Sequence, residues 1–208
     1  MTQLQFWFEF GSTYSYPAAL RVEAVARAVG VQLAWDPFLL GPIFQAQGWN
    51  DSPFNLYPAK GRYMWRDLER ICTALGLPLR RPSEFPRSGL LAARVACYFQ
   101  TEPWLPEFVR QVYLANFAHD RDIADPTVIG AILTALDQPP SALAVAESPE
   151  VKAKLRAQTE RAQALGIFGA PTFVADTELF WGNDRLEAAV AWIKEAQERG
   201  SGSAGPRR

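Results

Sequence analysis

The chain has 208 residues, which suits one domain, or one domain carrying an insertion, with ample length for a buried core. Hydrophobic residues make up 49%, the formal net charge is -1 and the pI is about 5.9. That composition excludes a disordered chain and argues against a nucleic-acid partner, because there is no basic excess to neutralise phosphates. No stretch reaches the ~20 apolar residues of a membrane span.

The N-terminus, "MTQLQFWFEF", lacks a basic leader region and carries Glu9 inside its apolar run, so it reads as a strand over residues 4–10. Phe6, Phe8 and Phe10 alternate onto one face. "FEFGSTYSYP", residues 8–17, then turns at a glycine into a helix over 14–29, with Ala18, Val22, Val25 and Val29 inward and Gly30 as the stop. "VQLAWDPF" is a second strand. Strand, helix and strand at this spacing form a βαβ unit with a parallel pair.

Residues 39–60 are rich in Gly, Pro, Asn and Trp and read as a long loop of functional character. A helix follows over 61–76, with Met64, Leu68, Ile71 and Leu75 on one face, and further helices are expected at 88–100, 104–118, 126–137 and 149–165. "APTFVAD" and "ELFW" are two short strands joined by a tight turn. "NDRLEAAVAWIKEAQ" is a last amphipathic helix with Leu186, Val190 and Ile193 inward, and residues 200–208 read as a flexible tail.

The two cysteines, Cys72 and Cys97, sit in separate helix-like segments and read as buried reduced thiols, which fits a cytoplasmic location. The one histidine, His119, lies in a polar helix end, so neither a zinc cluster nor a histidine-based hydrolytic site is expected.

Two hydroxyls, Ser12 and Ser15, stand where the first strand enters the first helix. Far along the chain, "GIFGAPTFVADTELFWGNDRL" joins a Pro loop, Ala170-Pro171-Thr172, to a hairpin and a helix. The βαβ and ββα halves together resemble an α/β thioredoxin-like fold with an all-helical insertion, in the arrangement of the DsbA and kappa-class glutathione transferase proteins. The serine with "FGAPTF" and "FWGNDRL" is similar to the 2-hydroxychromene-2-carboxylate isomerase family. The resemblance assigns residues 1–38 and 165–199 to the thioredoxin-like domain and 39–164 to the loop and helical insertion.

In that superfamily a Cys-x-x-Cys occupies the place of Ser12 and Ser15. A serine pair cannot exchange electrons as thiols do, whereas a helix N-terminus with a hydroxyl can hold an anion. The resemblance therefore implies glutathione as cofactor, its thiolate steadied by Ser12. The plainer reading of Ser12 is an N-cap, and Ser15 reads as a local structural hydroxyl.

The resemblance further implies a cis bond between Ala170 and Pro171, pairing of Ala170 with the ligand, and a γ-glutamyl site at Gly182, Asn183 and Asp184. Asn183 and Asp184 are equally good helix caps without a ligand. Trp181 either walls the pocket or is core. Asn55, Lys60, Arg62 and Tyr63 are offered for the glycyl carboxylate, and Phe85 for the substrate side. The implied activity is cis/trans isomerisation of a small aromatic-pathway substrate by reversible thiolate addition, in a homodimer. Conjugation of electrophiles, as in a kappa-like transferase, and a non-catalytic binding module are the competing readings.

Overall fold

The computed structural model describes residues 3–202, with side chains through Glu198. Four strands, β1 (Leu4–Phe8), β2 (Leu33–Pro37), β3 (Thr172–Ala175) and β4 (Glu178–Trp181), form one sheet in the order β2-β1-β3-β4. β1 and β2 run parallel, and the other pairs are antiparallel. The parallel pair needs a crossover, and α1 (Ser15–Ala28) supplies it. Both ends of the chain thus build the same sheet.

Alternation along β1 buries both faces. Phe6 and Phe8 join a core with Tyr16 and Val22 of α1, while Trp7 points the other way onto Phe38, Ile43 and Ala162. The Phe6 ring bridges the sheet, 5.4 Å from Phe173 and 5.3 Å from Trp35. The final helix, α10 (Leu186–Gly202), packs Leu186, Val190 and Ile193 into the Phe6 core, on the face its spacing predicts. The tail expected from residue 200 starts inside this helix, and residues 203–208 lie outside those described.

Between β2 and β3 run α2 (Leu40–Ala46), α3 (Pro53–Leu56), α4 (Pro58–Leu75), α5 (Leu90–Tyr98), α6 (Leu105–Phe117), α7 (Pro126–Ala135), α8 (Ser141–Ala146) and α9 (Pro149–Ala164). Met64, Leu68, Phe108 and Val112 from these helices share the Phe6 core, so the sheet and the inserted helices are stabilised together.

Residues 39–60 are not an irregular loop. Pro53 and Pro58 open helices at positions where a missing N–H costs little. The Ser52 hydroxyl accepts from the Phe54 N–H at 3.3 Å. α3 and α4 pack so closely that a Cβ on Gly61 would stand 2.3 Å from the Phe54 carbonyl oxygen. The short helix α8 has Pro140 at its N-cap and has no counterpart among the expected elements.

The inward face of α4 runs through Gly61, Met64, Trp65, Leu68 and Cys72, whereas Leu75 is 41% exposed in the last turn. Gly76 closes that helix in the left-handed region. Leu68→Ala is expected to cost about 2–5 kcal/mol in urea unfolding, and Leu75→Ala under about 0.5 kcal/mol. Equal losses at the two positions would contradict this face.

Candidate functional site

Sheet register assembles the site. The C-terminal ends of parallel β1 and β2 lie at one edge, where α/β sheets receive ligands. β3 pairs Thr172 with Trp7, and β4 pairs Trp181 with Thr172. Residues 9–12, 170–171 and 182–184 therefore converge at that edge.

Ser12 is half-buried in the turn before α1. Its hydroxyl donates to the Ala170 carbonyl at 2.9 Å and accepts from the Ser15 N–H at 3.3 Å. Accepting from an amide polarises the hydroxyl and strengthens it as a donor. The bond from the Ser15 N–H has the i, i+3 spacing of a cap, although Tyr14 occupies the N-cap position of α1 without a side-chain bond. Ser15 is fully buried, and its hydroxyl and that of Thr13 have no hydrogen-bond partner. Ser15 is thus closed off from any ligand.

The Ala170–Pro171 bond is cis, and the Thr172 hydroxyl donates to the Gly169 carbonyl at 2.8 Å. The Gly182 N–H donates to the Pro171 carbonyl at 2.9 Å, tying the Pro loop to the end of β4. Trp181 is 54% exposed, so it is not core. Its indole covers Gly169, where a Cβ would meet Nε1 at 2.4 Å, and its ring centroid lies 4.9 Å from that of Phe168.

Gly182 has φ +113°, and a Cβ there would meet the Asp184 carboxylate at 2.6 Å. Asn183 turns inward. Its side-chain oxygen and its carbonyl accept from the Arg21 guanidinium of α1 at 3.2 and 2.8 Å, respectively. Asn183 and Asp184 do not cap α10 with their side chains; a 3-10 turn over Asn183–Arg185 precedes that helix. Asp184 stays solvent-facing, 3.5 Å from the exposed Arg185 guanidinium.

Tyr14 adds groups that local spacing does not reveal. Its hydroxyl donates to the Asp67 carboxylate of α4 at 3.0 Å. Burial, the Asp67 bond and the nearby Tyr63 and Asp184 all raise its pKa, which brings α4 and the Gly182–Asp184 turn to one mouth around α1.

Asn55, Arg62 and Phe85 line one cleft of about 700 Å³, together with Trp65 and Arg81. Phe85 stands edge-on to Trp65 at 5.0 Å, and the Arg81 guanidinium lies 4.9 Å from the Trp65 ring. Lys60 instead sits 4.6 Å over the Tyr57 ring, and Tyr63 is 62% exposed; neither lines the cleft. A second hollow of about 350 Å³ is lined by residues such as Tyr98, Trp104 and Val145 and includes none of these side chains.

Arg87 anchors the wall of the cleft. Its guanidinium is buried against Asp120, Asn116, Ser83 and the Arg121 carbonyl. The Asp120 carboxyl is drawn down to about 2, first by the Ser83 N–H and then by Arg87. This holds residues 83–89 beside the Ser12 turn, where a Cβ on Gly11 would stand 2.9 Å from the Arg87 carbonyl oxygen.

Glu9 folds back over that same turn. Its carboxylate accepts from the Gly11 N–H at 2.9 Å, while the Ser12 N–H donates to its backbone carbonyl at 3.0 Å. Glu9 is in no ion pair among the described residues. Burial pushes its carboxyl up to about 7 despite the Gly11 and Ser12 amides, which pull it down. The sequence signal was its place as the one charge in an apolar run.

The two cysteines are buried and free, and burial pushes both thiols up to about 11. His119 is exposed. No group of three metal-ligating side chains occurs among the described residues, and no helix among them is long and apolar enough to cross a membrane.

The model of the DSBA-like thioredoxin domain matches residues 3–194, so the chain belongs to that family. It is 29% identical over 193 residues to a 2-hydroxychromene-2-carboxylate isomerase of Sphingobium xenophagum, covering 91% of this chain and 97% of the relative. It is 28% identical over 180 residues to glutathione S-transferase kappa 1 of Homo sapiens, covering 79% of each. A solved structure of a 2-hydroxychromene-2-carboxylate isomerase superposes with a TM-score of 0.85 at 22% identity, over 97% of this chain and 99% of that one. That likeness establishes the shared fold.

The raised Glu9 carboxyl has a consequence for stability. Its folded pKa lies above the ordinary 4.5, so its contribution is full below that value and is lost as pH rises through about 7. Relative to Glu9→Gln, the native protein is expected to lose up to about 3 kcal/mol of unfolding free energy between these limits. Parallel stability curves in urea would contradict the raised carboxyl.

Proposed function

We propose, from the premise that this chain belongs to the DSBA-like thioredoxin domain family, that it is a glutathione-dependent isomerase of a small conjugated or aromatic substrate. The observation that carries the reading is the Ser12 hydroxyl at the entry to α1, held against Ala170 of the Pro loop. The relationship to 2-hydroxychromene-2-carboxylate isomerases supports isomerisation, and the relationship to kappa transferases supports glutathione as the thiol.

The residues at this edge fit such a ligand chemically. Thr13 leaves one unpartnered hydroxyl beside Ser12 in the turn before α1. Asp184 offers an exposed carboxylate for an ammonium. Arg62 and Asn55 in the cleft offer a cation and an amide for a carboxylate. Trp181 with Phe168, and Phe85 with Trp65, supply aromatic walls. Lys60 and Tyr63 belong outside the cleft in this reading, and Asn183 acts by fixing its turn to α1 through Arg21.

Glutathione, when bound, would supply a thiolate whose addition to a conjugated carbon turns a double bond into a rotatable single bond and whose elimination restores the double bond. Ser12 turns its hydroxyl from Ala170 to the sulfur and donates to it. A free thiol titrates near ~8.5, and lowering that by ~2 pH units takes about 2.7 kcal/mol. A helix N-terminus gives roughly 0.3–1 kcal/mol, up to ~2 when partly buried. A hydrogen bond to a charged group adds about 1.5–3 kcal/mol. The two suffice together, and no histidine base is required. Pro loop and aromatic side chains serve to hold the reacting atoms in line.

The kappa relationship favours a second reading, in which the same site conjugates glutathione to an electrophile and releases the adduct. A stable adduct accumulating with turnover would select that reading; regeneration of free glutathione selects isomerisation.

Ser12→Ala is expected to lower glutathione-dependent isomerisation of 2-hydroxychromene-2-carboxylate by roughly 10- to 100-fold, from the loss of one charge-assisted bond. Calorimetry should still register glutathione binding. Unchanged turnover would remove Ser12 from the chemistry, and no binding in the native protein would leave only a non-catalytic module.

A further inference from the structure

Glu9 has no part in the thiolate chemistry described above, yet it shares one turn with Ser12. Its carboxylate is folded onto the Gly11 N–H, and its carbonyl receives the Ser12 N–H. Two glycines leave it space. A Cβ on Gly11 would stand 3.2 Å from one carboxylate oxygen, and a Cβ on Gly89 would stand 3.4 Å from the other.

The groups facing Glu9 carry no balancing charge. From α6, the Tyr113 hydroxyl donates to the Glu9 carbonyl, and the Asn116 amide donates to the Phe10 carbonyl. In the segment before α5, Arg87 presents its backbone carbonyl to the Gly11 position while its guanidinium turns away onto Asp120. A carboxylate here is stabilised by amides alone.

We infer that Glu9 is the proton store of the site: it takes up the proton released when a thiol binds at Ser12 as its thiolate. This rests on the glutathione reading of the site. The S–H bond breaks with its electron pair left on sulfur, and an O–H bond forms on Glu9. The charge of the turn stays at one negative unit. Without that uptake, two anions would share one turn, and their mutual repulsion would oppose thiolate formation. Their titrations are therefore coupled and belong to the pair. A carboxyl already pushed up to about 7 by burial is suited to accept the proton near neutral pH.

The test counts protons. Glutathione alone is titrated into the native protein near pH 7.5 in two buffers of different ionisation enthalpy, while the thiolate is followed by its ultraviolet absorbance. About nine-tenths of the free thiol is protonated there. Proton storage predicts thiolate formation with well under half a proton released per glutathione bound. Glu9→Gln should raise the release towards nine-tenths, and its bound thiol should titrate in one step where the native protein shows two. Thiolate formation with about nine-tenths of a proton released from the native protein would overturn the inference, whether or not the variant folds. Binding without thiolate absorbance would overturn it as well. Absence of any binding heat would overturn it through the failure of the glutathione site itself.

Discussion

A hydrogen bond from Ser12 to the Pro loop ties the two ends of this chain together at its candidate site. The Ser12 hydroxyl donates to the Ala170 carbonyl across a sequence separation of 158 residues. That bond exists because β1 pairs with β3 in a register that sets Trp7 beside Thr172. Slipping the register by one residue would turn Phe6 out of the main core and Trp7 into it. The Phe6–Phe173 stack and the Trp7–Phe38 contact on opposite faces resist that slip. Core packing therefore sets the geometry of the Ser12 turn.

The electrostatics of this edge follow from where cations are missing. Arg87 is consumed by Asp120 and Asn116, Arg21 by Asn183 and Glu187, and Arg110 by Glu23 and Glu107. These pairs fix the elements that frame the turn and leave Glu9 with amide partners only. In the proposed function, the positive end of α1 and the Ser12 hydroxyl are what this edge offers a sulfur anion. Positive charge from Arg62 and Arg81 is displaced to the cleft beside Phe85, where it suits a carboxylate and not a sulfur. The two cysteines, Cys72 and Cys97, lie buried in α4 and α5, where burial pushes both thiols up to about 11.

Much of the fold was legible in local spacing. The alternation through Phe6 and Phe8, the helical spacing of Leu186, Val190 and Ile193, and the Pro loop each announce an element from within a few residues. The short helices α3 and α8 were not legible, because Pro53 and Pro140 look the same in a loop as at a helix start. Directions set by distant partners were hidden too. Asn183 turns inward because Arg21 reaches it from α1, and Trp181 is exposed because Gly169 accepts it from outside the core. Glu9 was visible only as an oddity, since the desolvation that gives it meaning comes from Tyr113 and Gly89, far along the chain.

The account turns on the Ser12 hydroxyl exchanging its carbonyl partner for a borrowed sulfur. A crystal structure with glutathione tests this most directly. It should show the sulfur within hydrogen-bond distance of Ser12 Oγ, with the bond to the Ala170 carbonyl released. A tripeptide bound elsewhere, with the Ser12–Ala170 bond intact, would contradict it.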